Sequence, residues 1–465
     1  MNNVEVKYVL SRLNNRFDVL IAAYQTFSDE SFCFVRCKDI GGKGLNNYRS
    51  VQMYETLTGL TPGGVSNPVC KFNPYPITME CGKGSTIIDV DGNHYFDMCM
   101  AHGPLILGHS HPDVVKAVFA QMKKGTVFGA PSVPEMELMN LIRNNVPCAD
   151  MVRLTNSGTE SAIGAIRLAR GFTGRDKIVM MNGGFHGSHD PLLAYSEEPG
   201  SSAVPSSLGV LEATTNSTYS VDYNDIWQLE DVLKRNDVAA VIMEPIMGNK
   251  GVILPEKGYL QNVRKLTRTY GALLIFDEVT TGFRSSEGGA QKIYNVIPDL
   301  CTMGKIIGGG FPIGALAGRR EIMENLAPSG KVFLAGTFSG NPISASAGRA
   351  TIELMDGNYR VLSDNTESLV HSLRDSLEDR GVKGAVVYEG SMFQIFFDID
   401  EPRNAAEARK ADEKKFEGLF RYMLSNGIYI SPSRFEVNFL SVAHDRRALN
   451  KFSETFDSYL ENIAV

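Results

Sequence analysis

Between about Pro112 and Met355, short unbroken apolar runs alternate with stretches of helical spacing. The runs are Ile178–Met181, Val238–Met243, Ala272–Phe276 and Leu300–Met303. Unbroken rather than alternating apolar runs are what strands buried on both faces require. Thr159–Arg170 and Gly258–Tyr270 read as helices between them. This rhythm predicts a mostly parallel sheet covered by helices, an α/β fold. Upstream, Pro76 to Met98 reads as a β-meander in which Ile87–Val90 and His94–Met98 flank an Asp91-Gly92-Asn93 turn. Downstream, the helical pattern Glu367–Arg380, the strand-like Met392–Phe397 and a final helix Arg446–Glu461 predict a smaller α+β domain. The expected organisation is an N-terminal extension over 1–52, broken by Gly41, Gly42 and Gly44. A first part of the small domain with an active-site segment follows over 53–110, then a large domain over 111–355 and a C-terminal small domain over 356–465.

Composition narrows the function classes. The chain has 465 residues, 43% hydrophobic and 21% charged, with net charge -7. That balance gives no reason to expect a nucleic-acid or anionic-membrane partner. No apolar run approaches the ~20 residues of a membrane span, and the N-terminus has no continuous apolar signal core. Seven cysteines without CxxC pairs fit free thiols in the cytoplasm better than a disulfide framework, and the histidines lack metal-ligand spacing, so no metal site is expected.

The chemistry is sought beyond the carboxyl ends of the strands, where open α/β sheets bind ligands. Glu244-Pro245 and then Gly248-Asn249 follow one run, Asp277-Glu278 another, and Gly304-Lys305 with Gly308-Gly309-Gly310 a third. Asn156-Ser157-Gly158 precedes a helix. Taken singly, each has a bland reading: a helix cap at Ser157-Gly158-Thr159, a turn residue at Asp277, a surface lysine at Lys305. There is no GxxxxGK[ST] loop, and no GxGxxG opens a helix after a strand. Together, a lysine amine, a carboxylate, an anion-binding helix terminus and an aromatic face at Phe185 are what pyridoxal-phosphate (PLP) chemistry requires.

The stretches TPGGVSNPV, GPLILGHSHP, MVRLTNSGTESAIGAIRLARGFTGRDKI, GGFHGSHD, VIMEPIMGNKGV, GALLIFDEVTTGFR, MGKIIGGGFPIGALAGR, AGTFSGNP and SPSRFEVNFLSVAHD resemble class III aminotransferases, within fold type I PLP enzymes, and within that class the glutamate-1-semialdehyde 2,1-aminomutase subgroup. The likeness runs from about Met53 to the C-terminus. It implies that Lys305 is the Schiff-base lysine, that Asp277 holds the pyridine nitrogen protonated, and that Val279 packs on the ring face opposite Phe185. It implies a phosphate cradle of Ser157, Gly158 and Thr159, and Asn249 near the phenolic oxygen. Thr337 would add a phosphate contact from a neighbouring subunit, hence a homodimer with shared active sites. The expected activity is PLP-dependent amino-group transfer between a small amino substrate and a keto acceptor, with aminomutase action as the alternative.

The pattern breaks in the substrate pocket. Where the aminomutase pattern carries an arginine expected to hold the substrate carboxylate, this chain has Cys70, followed by Lys71. Where it carries a tryptophan before GP, this chain has His102. Glu436 keeps the carboxylate of that pattern, and Arg434 is a candidate anchor. If the Cys70 stretch is extended, Lys71 should point the opposite way. A thiol cannot replace a bidentate guanidinium, so a changed substrate is expected.

Overall fold

The computed structural model describes residues 47–463. The greater part of the N-terminal extension, 1–46, lies outside the described residues. Helix Tyr48–Leu60 runs through the position where the sequence pattern ends that extension. Its first turn is held by Asp91, whose carboxylate accepts from the backbone N–H of Arg49 at 2.7 Å and of Ser50 at 2.8 Å.

A seven-stranded sheet runs in the order Met151–Thr155, Gly314–Gly318, Leu300–Met303, Leu273–Asp277, Val238–Met243, Lys177–Met181, Thr218–Val221. Only Gly314–Gly318 is antiparallel to its neighbours; the other pairings are parallel. Every residue of Val238–Met243 and of Leu273–Asp277 is buried, which is why they read as unbroken apolar runs. Three strands escaped the sequence pattern: Met151–Thr155, Thr218–Val221 and Gly314–Gly318. The first and second are edge strands. The third is a Gly-Ala-Leu-Ala-Gly run with little strand propensity. Its glycine is forced by contact, because a Cβ on Gly314 would stand 2.2 Å from the carbonyl oxygen of Ser157.

Both chain ends build the smaller layer. Strands Met79–Lys83, Thr86–Asp89 and His94–Asp97 form the antiparallel meander, and Ile428–Tyr429 joins its edge parallel to His94–Asp97. The meander turn is locked by Asp89, whose carboxylate accepts from the N–H groups of Asp91 and Asn93, the Asn93 amide and the Tyr95 hydroxyl. Gly384–Glu389, Met392–Phe397 and Asn438–Phe439 form a second antiparallel sheet. Helices Tyr359–Asp379, Glu413–Ser425 and Arg446–Ile463 cover it, with Phe393 edge-on to Phe452 at 5.6 Å. Among the described residues no helix is long and apolar enough to cross a membrane.

Candidate active site

The parallel strands end in polar residues on one edge of the large sheet. Asp277 closes Leu273–Asp277 and pairs in register with Thr302 of the neighbouring strand. Its carboxylate is 4% exposed and accepts from Thr302 Oγ1 at 3.0 Å and from the Val279 N–H at 3.1 Å. Its other oxygen meets Nδ1 of the buried His186 at 2.7 Å. His186 Nε2 is buried and has no partner among the described residues. Glu244, at the end of Val238–Met243, accepts from Gly248 N–H (2.8 Å), Asn249 Nδ2 (2.9 Å) and Phe185 N–H (3.2 Å). Burial pushes the Glu244 carboxyl up, against the pull of His186.

Lys305 lies just past Leu300–Met303 with φ +48°, a left-handed conformation that a non-glycine residue adopts at a cost. Its Nζ donates to Thr280 Oγ1 at 2.8 Å. Burial, then the like charge of Arg284, pushes the amine below the ordinary lysine range; Glu244, Glu436 and Asp277 oppose this.

Helix Gly158–Thr173 points its N-terminus at the same edge. Ser157 caps it, its hydroxyl accepting from the Glu160 N–H at 3.2 Å. The N–H groups of Gly158 and Thr159 have no carbonyl a turn earlier to bond and are open to an anion. A Cβ on Gly158 would stand 2.6 Å from Val279 Cγ2, which puts the Asp277–Val279 turn against the helix start.

A strained turn runs beside Lys305, where a Cβ on Gly103 would stand 3.4 Å from Lys305 Cδ. Met100, Ala101 and His102 take φ of 46°, 56° and 62° in succession. His102 Nε2 lies 4.0 Å from Cys70 Sγ, and its Nδ1 lies 3.6 Å from Cys99 Sγ and 3.7 Å from Glu436 Oε2. Burial lowers the His102 pKa, and Glu436 pulls it the other way. Burial, then Glu436, raises the Cys70 thiol.

Most of the predicted residues therefore converge, but two cations do not. Pro68–Cys70 is a 3₁₀ turn rather than an extended stretch. Lys71 nevertheless points away from His102, bonded to the Tyr54 hydroxyl with its ammonium 4.2 Å from the Tyr54 ring. Arg434, considered as an anchor, is engaged with the Ala411 carbonyl and with Glu413 at 3.3 Å. Thr337 sits in an exposed loop. Phe185 is 50% exposed. Sequence reasoning assigned no role to His186, Thr280 or Arg284. The available signal was their place inside the polar stretches that follow buried runs.

The donor set fits PLP. A buried carboxylate, a lysine amine depressed by its surroundings and an open helix N-terminus share one sheet edge, and His186 backs the carboxylate through Nδ1.

Comparison with known proteins agrees with this geometry. The class-III aminotransferase family matches residues 70–451. The chain is 47% identical over 420 residues to the glutamate-1-semialdehyde 2,1-aminomutase of Methanothermobacter thermautotrophicus, covering 89% of this chain and 99% of that one. It is 48% identical over 418 residues to the enzyme of the same name from Archaeoglobus fulgidus, covering 89% and 99%. Among solved structures, an omega-transaminase from Sphaerobacter thermophilus superposes with TM-score 0.83 and 33% identity, over 90% of this chain and 99% of that one. A glutamate-1-semialdehyde-aminomutase from Pseudomonas aeruginosa superposes with TM-score 0.81 and 26% identity, over 90% and 95%. With the family match and the identity to these relatives in agreement, the chain belongs to the class-III aminotransferases.

Proposed function

We propose that this enzyme transfers amino groups with PLP held through Lys305, and that its substrate differs from glutamate-1-semialdehyde at the carboxylate. The observation that carries the first part is the shared sheet edge of Lys305, Asp277 and the Gly158 helix start. Ser157, Gly158 and Thr159 would hold the phosphate, Asn249 the phenolic oxygen, and Phe185 and Val279 the ring faces. When bound, PLP supplies the electron sink that lets a C–H bond beside the substrate nitrogen ionise. Asp277 would set a carboxylate at the ring nitrogen, and Thr302 and His186 hold that carboxylate in place. Lys305 Nζ, its affinity for a proton lowered by burial and then by Arg284, would take the substrate proton and return it to a neighbouring atom. Thr280 keeps Nζ on that path.

The second part rests on the surroundings of Cys70. With Lys71 turned to Tyr54 and Arg434 to Glu413, neither of these cations takes the place of the arginine that the aminomutase pattern carries at Cys70, and Glu436 stands beside His102. True aminomutase action is the second reading, favoured by relatives of that name at 47% and 48% identity. A product assay on glutamate-1-semialdehyde, with and without a keto-acid acceptor, separates them. Slow turnover that depends on an acceptor supports the first. Efficient acceptor-free formation of 5-aminolevulinate establishes the second.

The enzyme acts as a homodimer in this reading. Exposed Phe119, Met122, Phe128, Met136 and Phe338 are apolar side chains that such a dimer would cover. Cytoplasmic placement is supported by the free thiols of Cys70, Cys99, Cys148 and Cys301 among the described residues.

A further inference from the structure

Arg284 is among the largest fully buried side chains, at 2% exposure. Its hydrogen bonds among the described residues go to neutral acceptors. Nε donates to the Thr280 carbonyl at 2.9 Å, Nη1 to Ser391 Oγ at 3.2 Å and Nη2 to the Gly103 carbonyl. Its Cζ sits 4.4 Å over the Phe439 ring. A guanidinium buried without a carboxylate is costly to keep, and burial pushes it down to about 9. The fold gains little stability from such an arrangement, so its use is sought elsewhere.

The acceptors belong to three parts of the site. Thr280 is the residue whose hydroxyl receives Lys305 Nζ. Gly103 closes the left-handed Met100–His102 turn. Ser391 and Phe439 lie at the edge of the C-terminal sheet. A Cβ on Gly103 would stand 2.9 Å from Arg284 Nη2 and 3.4 Å from Lys305 Cδ, so the two basic side chains flank one backbone position.

We infer that Arg284 is a positioning residue for Lys305: its unpaired guanidinium fixes the Thr280 acceptor and the Gly103 turn, and sets a positive charge beside the lysine side chain. The inference rests on the reading of Lys305 as the reacting amine. The groups facing Lys305 are Asp277 at its strand end, Glu244 at the next, Glu436 before Asn438–Phe439, His102 in the turn, and Arg284. Lys250 shares Glu244 and Glu436, and Tyr359 faces Arg284 from the head of its helix. The three carboxylates favour the ammonium form. Arg284 is the cation placed to oppose them, so neutralising it should raise the pH at which Lys305 loses its proton.

The test uses cofactor-free full-length protein. Lys305 is labelled with an amine-acylating reagent across a pH series, and its peptide is quantified by mass spectrometry. Two variants carry the argument. Arg284→Gln removes the charge. Arg284→Lys keeps the positive charge on a smaller head and is the conservative control should the neutral variant fold poorly. Arg284→Gln should move the Lys305 midpoint upward by about one pH unit, a roughly tenfold loss of neutral amine at fixed pH, and Arg284→Lys should leave it close to the parent. An unmoved midpoint in Arg284→Gln, or equal shifts in both variants, overturns the inference. Borohydride trapping of the reconstituted parent distinguishes this from failure of the underlying reading. Trapping at Lys305 with unmoved midpoints defeats only the role of Arg284; trapping at another lysine defeats both.

Discussion

Replacing Asp277 by asparagine keeps the shape of the strand end and removes its charge. A protonated ring nitrogen bonded to the carboxylate at ~3 Å, with an effective dielectric of ~20, is held by about 5 kcal/mol. The hydrogen bond an amide oxygen could still offer is worth about 1 kcal/mol. The remaining ~4 kcal/mol converts to roughly 10²- to 10³-fold in turnover. The packing adds a second cost. One carboxylate oxygen accepts from Val279 N–H and Thr302, which commits the asparagine oxygen to that side. Its NH₂ then faces His186 Nδ1, which must become the acceptor and pass its proton to Nε2. That nitrogen is buried without a partner, so the tautomer switch leaves an unsatisfied donor worth about 1–3 kcal/mol of stability. The assays are the single-turnover rate with saturating amine donor, the bound cofactor per chain, and the melting temperature. Cofactor should still bind, turnover should fall at least about a hundredfold, and the melting temperature should drop. A variant within a few-fold of the parent in rate would show that the charge at Asp277 is not what drives the chemistry.

Three further outcomes follow from the structure. Sedimentation at assay concentration should give a dimer, and Thr337→Ala should weaken cofactor retention; a fully active monomer contradicts the shared site. Cys70→Arg should raise activity on glutamate-1-semialdehyde, read as kcat/KM, and no gain would mean that Cys70 does not set substrate choice. Asp299→Ala should cost about 3–5 kcal/mol in denaturant unfolding, because the bidentate bond from Arg264 at 2.6 and 2.8 Å and that from Arg319 at 2.7 Å would be lost around a buried guanidinium. Burial would raise the Asp299 pKa, but Arg264, the Leu274 N–H and Arg319 hold it below the ordinary carboxylate value. Its contribution is therefore fully present above the unfolded value and is lost as pH falls through the folded one.

The large sheet was legible because burial on both faces leaves an unbroken apolar run, and Val238–Met243 and Leu300–Met303 fall where the pattern puts them. Asp277 and Lys305 were legible for the same reason, since each follows such a run. Gly314–Gly318 was not, because small residues chosen for close backbone approach carry no strand signature. His186 was hidden because its role depends on lying behind Asp277, a contact between residues far apart in sequence. Arg434 shows the converse: its type suits an anion anchor, but only the fold reveals that Ala411 and Glu413 already occupy it. Arg284 is visible in the motif, yet its lack of a carboxylate is a property of the packed interior.

The central claim is that Lys305 is the amine that bonds the cofactor and moves the proton. Borohydride reduction of the PLP-loaded enzyme, followed by peptide mass mapping, tests it most directly. The account predicts a phosphopyridoxyl mass on the peptide carrying Lys305, absent from Lys305→Ala, which should fold yet lose turnover. A stoichiometric adduct on another lysine, or normal turnover in Lys305→Ala, would contradict it.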